Sequence, residues 1–203
     1  IIFGTSILIV ATAILALVLS SQPLQPADYK ISGLNEPVNI QRDHFGIPYI
    51  SANNKADLYL ALGFVHAADR IFQIDFLRRL VSGRLSEVLG PAGLKKDKLF
   101  SQLRFVEFQR DLRRKRPELF KGAWFDELNA YVTGLNQFLE LDQLPVEYKF
   151  LAYKPKPFEV EEVLGIGGYM AYGFAHGAKS DSFFGHLQQK LEPEVFSALW
   201  KTY

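Results

Sequence analysis

Between Ala61 and Gly90 the stretch ALGFVHAADRIFQIDFLRRLVSGRLSEVLG is largely apolar, yet it carries Asp69, Arg70, Asp75, Arg78, Arg79, Arg84 and Glu87. Asp75 stands three residues before Arg78 and four before Arg79, and Arg84 stands three before Glu87. On a helix each acid then faces its bases across one turn, and Asp69 and Gln73 also lie one turn apart. A charge buried on an apolar helix is costly unless it is paired. The pattern predicts an internal salt-bridge network that sets helix register, not a lone acid or base poised for proton transfer.

Other reactive chemistry is sparse. No two of His44, His66, His176 and His186 have the three- or four-residue spacing of a zinc pair on one helix. There is no G-x-S-x-G, and Ser82, Ser86, Ser180 and Ser182 lack a sequence-local base. Gly165-Ile166-Gly167-Gly168 has neither the Lys-Ser/Thr of a P-loop nor a strand-to-helix setting, which argues against nucleotide binding. With no Cys, disulfides, thiolate metal sites and a Cys nucleophile are excluded within these 203 residues. The 23 basic and 22 acidic residues leave a net charge of +1, which offers no argument for a nucleic-acid partner.

These side chains need elements to hold them. Residues 1–21, IIFGTSILIVATAILALVLSS, carry no charge, and the first ionisable side chain is Asp28. About 20 apolar residues span about 30 Å as a helix, the thickness of the hydrocarbon layer. A transmembrane anchor or uncleaved signal is expected at 1–21, with membrane lipid as its partner, then a Pro-containing linker at 22–29. Residues 30–203 form the remaining unit. PVNIQRDHFGIPYISANN reads as strand, turn, strand around Gly46 and Pro48. A helix follows, with Asp57 as its N-cap and Gly83 at its end. Further helices are predicted over Arg84–Leu89, over the basic stretch Lys95–Arg116 as a solvated face, over Trp124–Leu141, and from Glu159 onward. GIGGYMAYGFAHG reads as a Gly-rich helix or a helix break, and a final helix is expected over Asp181–Tyr203. With no Met at its start and a helical pattern running to Tyr203, the sequence is expected to be part of a longer protein.

Four spaced motifs carry a resemblance: RD-x-F-G-I-P-x-I at Arg42–Ile50, ALGFVHAADRIFQ-x-D at Ala61–Asp75, Arg78-Arg79, and SGRLSEVLG at Ser82–Gly90. With the later YKFLAYKPKPFEVEEVL, they resemble the α-subunit opening of the penicillin acylase family of N-terminal-nucleophile hydrolases. The resemblance implies an α+β fold, this chain being the mostly helical portion of an αββα sandwich, and the apolar run at 1–21 is expected to place one transmembrane helix before it. It implies a precursor that cleaves itself to free a β chain whose N-terminal Ser attacks an amide carbonyl, its own amine serving as base. Catalytic residues are then expected on the β chain and none here.

Met170 and Phe174, in MAYGF, match the family segment that lines the acyl pocket, and apolar side chains suit an acyl group. Some relatives have an Arg before that Phe, which assists a substrate carboxylate. Gly173 stands there instead, leaving more room for an aliphatic chain. The resemblance also implies calcium at the α/β junction and no organic cofactor. Ser180 aligns with the α-chain ligand, and Asp181 beside it is the candidate. The expected activity is hydrolysis of N-acyl compounds (acyl-homoserine lactones, acyl-peptides or β-lactam side chains) by a protein held at the bacterial inner membrane and facing the periplasm or exterior. The alternative is a catalytically silent homologue serving as a membrane-anchored scaffold or complex subunit.

Overall fold

The computed structural model describes residue 12, residues 29–141 and residues 143–202. Apart from residues 12 and 29, the anchor expected at 1–21 and the linker at 22–29 lie outside the described residues. Among the described residues, no helix is long and apolar enough to cross a membrane.

Two strands, β1 (Asn39–Arg42) and β2 (Pro48–Ser51), pair antiparallel with Ile40 opposite Ile50. The Asp43 carboxylate closes the turn by accepting from the Phe45 and Ile47 backbone N–H groups, both at 2.9 Å. Gly46 adopts φ +81°, a conformation that favours glycine. Arg42 donates to the Gly46 carbonyl and makes a two-pronged contact with Asp69. The first motif thus folds as a hairpin pinned to the helix that carries the second.

That helix, α1 (Lys55–Val81), begins at Asn54, whose side chain accepts from the Asp57 N–H at 2.9 Å. Asp57 is therefore not the cap expected from the sequence but a first-turn acid. Its buried carboxylate ties down the incoming chain, accepting from the Asn35 and Glu36 N–H groups and from the Asn35 and Asn54 side chains. The Asn35 amide outweighs burial and, with Asn54 and Glu36, holds the Asp57 carboxyl below its ordinary value. A depressed carboxyl contributes stability above its unfolded value, about 3.9, and loses it as pH falls through the folded value. Protease sensitivity around residues 29–36 is therefore expected to rise as pH drops from about 5 to about 3. In Asp57→Asn this dependence flattens. A pH series of limited proteolysis checks it.

After α1, Gly83 at φ +64° turns the chain into α2 (Ser86–Leu89), shorter than the helix expected from Arg84. A short 3-10 turn leads to α3 (Leu94–Leu103) and, after Arg104 in the left-handed region, α4 (Phe105–Lys115). Then come α5 (Ala123–Glu140), α6 (Val146–Phe150), α7 (Val160–Lys190) and α8 (Pro193–Thr202). The Gly-rich segment does not break: it lies inside the 31-residue α7. The final helix does not start at Asp181, which is inside α7. The break falls just before Pro193, whose missing N–H and fixed φ suit a helix start.

The core is a helix pair. α1 and α5 cross where Gly63 and Gly134 leave no room for a side chain. A Cβ on Gly63 would lie 2.0 Å from the Tyr131 carbonyl oxygen, and one on Gly134 would lie 1.9 Å from that of Leu60. This close approach lets Phe64, Ala67, Ile71, Val132, Leu135 and Phe138 interlock, and Tyr148, Phe158 and Val160 complete the same cluster.

Candidate functional site

Three charges of α1, Asp75, Arg78 and Arg79, meet inside the protein. Asp75 is fully buried, with one oxygen facing the Arg78 guanidinium and the other taking Arg79 Nε at 3.3 Å and the Tyr153 hydroxyl at 2.7 Å. Arg79 continues to Glu87, which also accepts from Arg84. Burial, then the bond to Asp75, pushes the Tyr153 phenol above its ordinary range, so it stays protonated and donates. Both oxygens of Asp75 are thus committed to protein donors, an arrangement suited to fixing structure.

Arg78 reaches furthest from α1. Beyond Asp75 it donates to the carbonyls of Lys156 (2.8 Å) and Pro157 (3.0 Å) and approaches Glu162 at 3.4 Å, its guanidinium 3.9 Å from the Phe158 ring centroid. Glu162 belongs to the capping box that starts α7: the Glu159 side chain accepts from the Glu162 backbone, and the Glu162 side chain accepts from the Glu159 N–H. From α5, Asn136 grips Phe158, accepting from its N–H at 2.7 Å and donating to its carbonyl at 3.1 Å. The basic stretch joins in. Arg110 pairs with Glu159, and Arg113 with Glu161 (2.6 Å), so α4 docks on the first turn of α7 as well as facing solvent.

α7 then passes two glycine notches, Gly165 against Val106 and Gly168 against Phe105. Beyond them it presents the three residues singled out by sequence. Met170, Phe174 and Asp181 are separated by four and seven residues, so all three lie on one face of the helix. Met170 is 57% exposed and Phe174 78%, so neither is a core residue of this chain. Two large apolar groups left bare one turn apart make a surface fitted for contact with another body. A Cβ on Gly173 would meet nothing within 4 Å, so that position borders open space.

Asp181 lies roughly 16 Å beyond Met170 along the helix axis. With Phe184, Gly185, Gln188, Phe196 and Trp200 it lines an open cleft of about 370 Å³ between α7 and α8. Calcium requires six to eight oxygen ligands. Among the described residues no three acidic, His or Cys side chains converge as a metal site, and apart from Asp181 itself the cleft is lined by Gln188 and otherwise by Gly185 and apolar side chains. Among the described residues, then, Asp181 is a single candidate carboxylate and not a complete calcium ligand set.

The penicillin amidase family model matches residues 37–203, from just before β1 to the end of the chain. The chain belongs to the penicillin amidase family. It is 44% identical over 131 residues to the penicillin acylase 2 proenzyme of Pseudomonas sp. (strain SE83), covering 64% of this chain and 16% of that protein. It is 30% identical over 178 residues to the acyl-homoserine lactone acylase QuiP of Pseudomonas aeruginosa, covering 85% of this chain and 20% of that protein. It thus spans about a sixth to a fifth of the length of these relatives. Among solved structures, the thermostable penicillin G acylase from Alcaligenes faecalis superposes with a TM-score of 0.60 at 28% identity, covering 82% of this chain and 90% of that one.

In this penicillin amidase chain the motif residues have structural partners. Arg42 and Asp69 hold the hairpin, and Asp75, Arg78 and Arg79 join α1 to the entry of α7. In the SGRLSEVLG segment, Leu85 and Ser86 donate their backbone N–H groups to the buried Asp97 (2.6 and 2.8 Å). Sequence reading missed Glu162, Tyr153, Asn136 and Asp97 as members of this frame. The Glu159-x-x-Glu162 spacing was a legible capping signal, but nothing local ties Glu162 to Arg78, 84 residues away.

Proposed function

We propose that this chain is the α-subunit portion of an acylase that hydrolyses the amide bond of N-acyl compounds. The nucleophile is a Ser at the N-terminus of a β chain cut from the same precursor. The observation that carries the reading is the exposed Met170–Phe174 pair on a rigidly seated helix, in a chain of a family whose named relatives are penicillin and acyl-homoserine lactone acylases. In this reading Met170 and Phe174 contact the acyl group, excluding water from it once the β chain closes over them. Apolar burial of an acyl chain contributes about 0.8 kcal/mol per methylene. Asp181 supplies one oxygen ligand to a calcium ion whose other ligands come from the β chain. Residues 1–21 tether the protein to the bacterial inner membrane with its bulk outside the cytoplasm, a reading supported by their lack of charge.

The full-length protein tests this by intact mass and N-terminal sequencing after denaturation. Two polypeptides, the larger beginning with Ser, are expected. A single uncut chain, or a new terminus without a nucleophile, overturns the reading.

Gly173 refines the substrate class. Open space there accepts an Arg without a clash, and leaving out Gly gains about 1 kcal/mol of helix propensity. Gly173→Arg is therefore expected to fold and to raise kcat/KM for carboxylate-bearing acyl amides about tenfold, the effect of roughly 1.4 kcal/mol from one charge-assisted contact. Neutral acyl amides should change little. Paired kinetics on the two substrate classes measure it.

A further inference from the structure

We propose that Arg78 is a positioning residue that sets where the acyl-contacting face of α7 lies, and through it the acyl-length selectivity. The inference rests on the proposed function of Met170 and Phe174, but it concerns a residue that touches neither them nor substrate.

The geometry that carries it is a two-point mount. The first point is the clamp at residues 156–162, where Arg78 holds two successive carbonyls, the Phe158 ring and the capping acid, while Asn136 holds both backbone groups of Phe158. Arg78 is only 4% exposed, and its donors are divided between Asp75 on its own helix and the chain entering α7. The second point is the pair of notches at Gly165 and Gly168, where α7 rests directly on Val106 and Phe105. Two points define the axis of a rigid rod. Glu162 lies about 7 Å before the middle of the notches and Phe174 about 11 Å beyond it. A sideways shift of about 1 Å at the clamp therefore swings Phe174 by about 1.5 Å the opposite way. Misplacement of about 1 Å in a site can cost about a hundredfold in rate. A lysine at 78 keeps the charge but offers a single compact ammonium, which cannot hold two carbonyls and a carboxylate at once while stacking on Phe158.

The test uses the full-length processed protein and two chromogenic amides, the 4-nitroanilides of butanoic and dodecanoic acid. The readout is the ratio of their kcat/KM values, which does not depend on the fraction of enzyme that is folded. Arg78→Lys is expected to change that ratio about tenfold, mostly through KM for the longer chain. Asn136→Ala, which removes the α5 grip and leaves the buried ion cluster intact, should move the ratio in the same direction, and it carries the test if Arg78→Lys fails to fold. A ratio within about twofold of the parental value in the folded variant overturns the inference while the proposed function stands. A parental protein that is processed but cleaves neither anilide overturns the proposed function and the inference with it.

Discussion

Asp75→Ala is expected to destabilise the protein by about 3–5 kcal/mol, the cost of breaking a buried ion pair and leaving its partners uncompensated. Asp75 is the shared carboxylate of Arg78 and Arg79, which are themselves 4% and 6% exposed, and it also accepts from Tyr153. Its removal leaves two adjacent guanidiniums buried, with Glu162 and the half-exposed Glu87 as their remaining acids. A loss of that size is a large share of the roughly 5–15 kcal/mol that holds a domain together. The surface pair Arg42–Asp69 supplies the contrast. Its side chains are about a third exposed, and Asp69→Ala should cost under about 1 kcal/mol. Urea unfolding of both variants beside the parent decides the matter: equal midpoints for the two would mean that the buried cluster is not the anchor described here.

The second large effect is at the helix crossing, where the expected sign is informative. Helix propensity alone says that Gly134→Ala should stabilise α5 by about 1 kcal/mol. The tertiary contact says the reverse. The new Cβ would sit 1.9 Å from the Leu60 carbonyl oxygen and 2.7 Å from the Phe64 nitrogen, both backbone atoms of α1 that no rotamer change can move. The helices must separate, and the interlocked Phe64, Val132, Leu135 and Phe138 lose contact along the crossing. A net loss of about 1–3 kcal/mol is expected, the range of overpacked cores. Gly173→Ala, on the open face of α7, should instead stabilise by up to about 1 kcal/mol. Thermal unfolding of the two variants gives opposite shifts if the crossing is as close as it stands here. A stabilised Gly134→Ala would show that α1 and α5 pack further apart.

Much of the secondary structure was legible from local signals. Alternation around Gly46 and Pro48 located the hairpin, three- and four-residue apolar spacing located α1 and α5, and the acids after Phe158 located the start of α7. Where the reading slipped, a neighbouring signal of similar strength won. Asn54 took the cap from Asp57, because Asp57 was claimed by the Asn35–Glu36 segment 21 and 22 residues away. The glycines of residues 165–177 left helix or break open from sequence; α7 is continuous through them, and two of them are sites where α4 needs room against the helix.

The candidate site divides the same way. That Met170, Phe174 and Asp181 share a face follows from their spacing once the helix is unbroken, since a period of 3.6 places residues four and eleven apart together. That Asp75 pairs with Arg78 and Arg79 follows from one-turn spacing. Sequence therefore determined the family, the helical frame, the charge pairs within α1 and the face on which the candidate residues stand. Only the tertiary structure decided that Arg78 spans from α1 to the entry of α7, that Asn136 grips the same segment from α5, and that Gly63 and Gly134 are the crossing point. Local spacing encodes contacts within a turn or two, whereas these contacts join residues 22 to 84 apart and exist only once packing has brought the helices together.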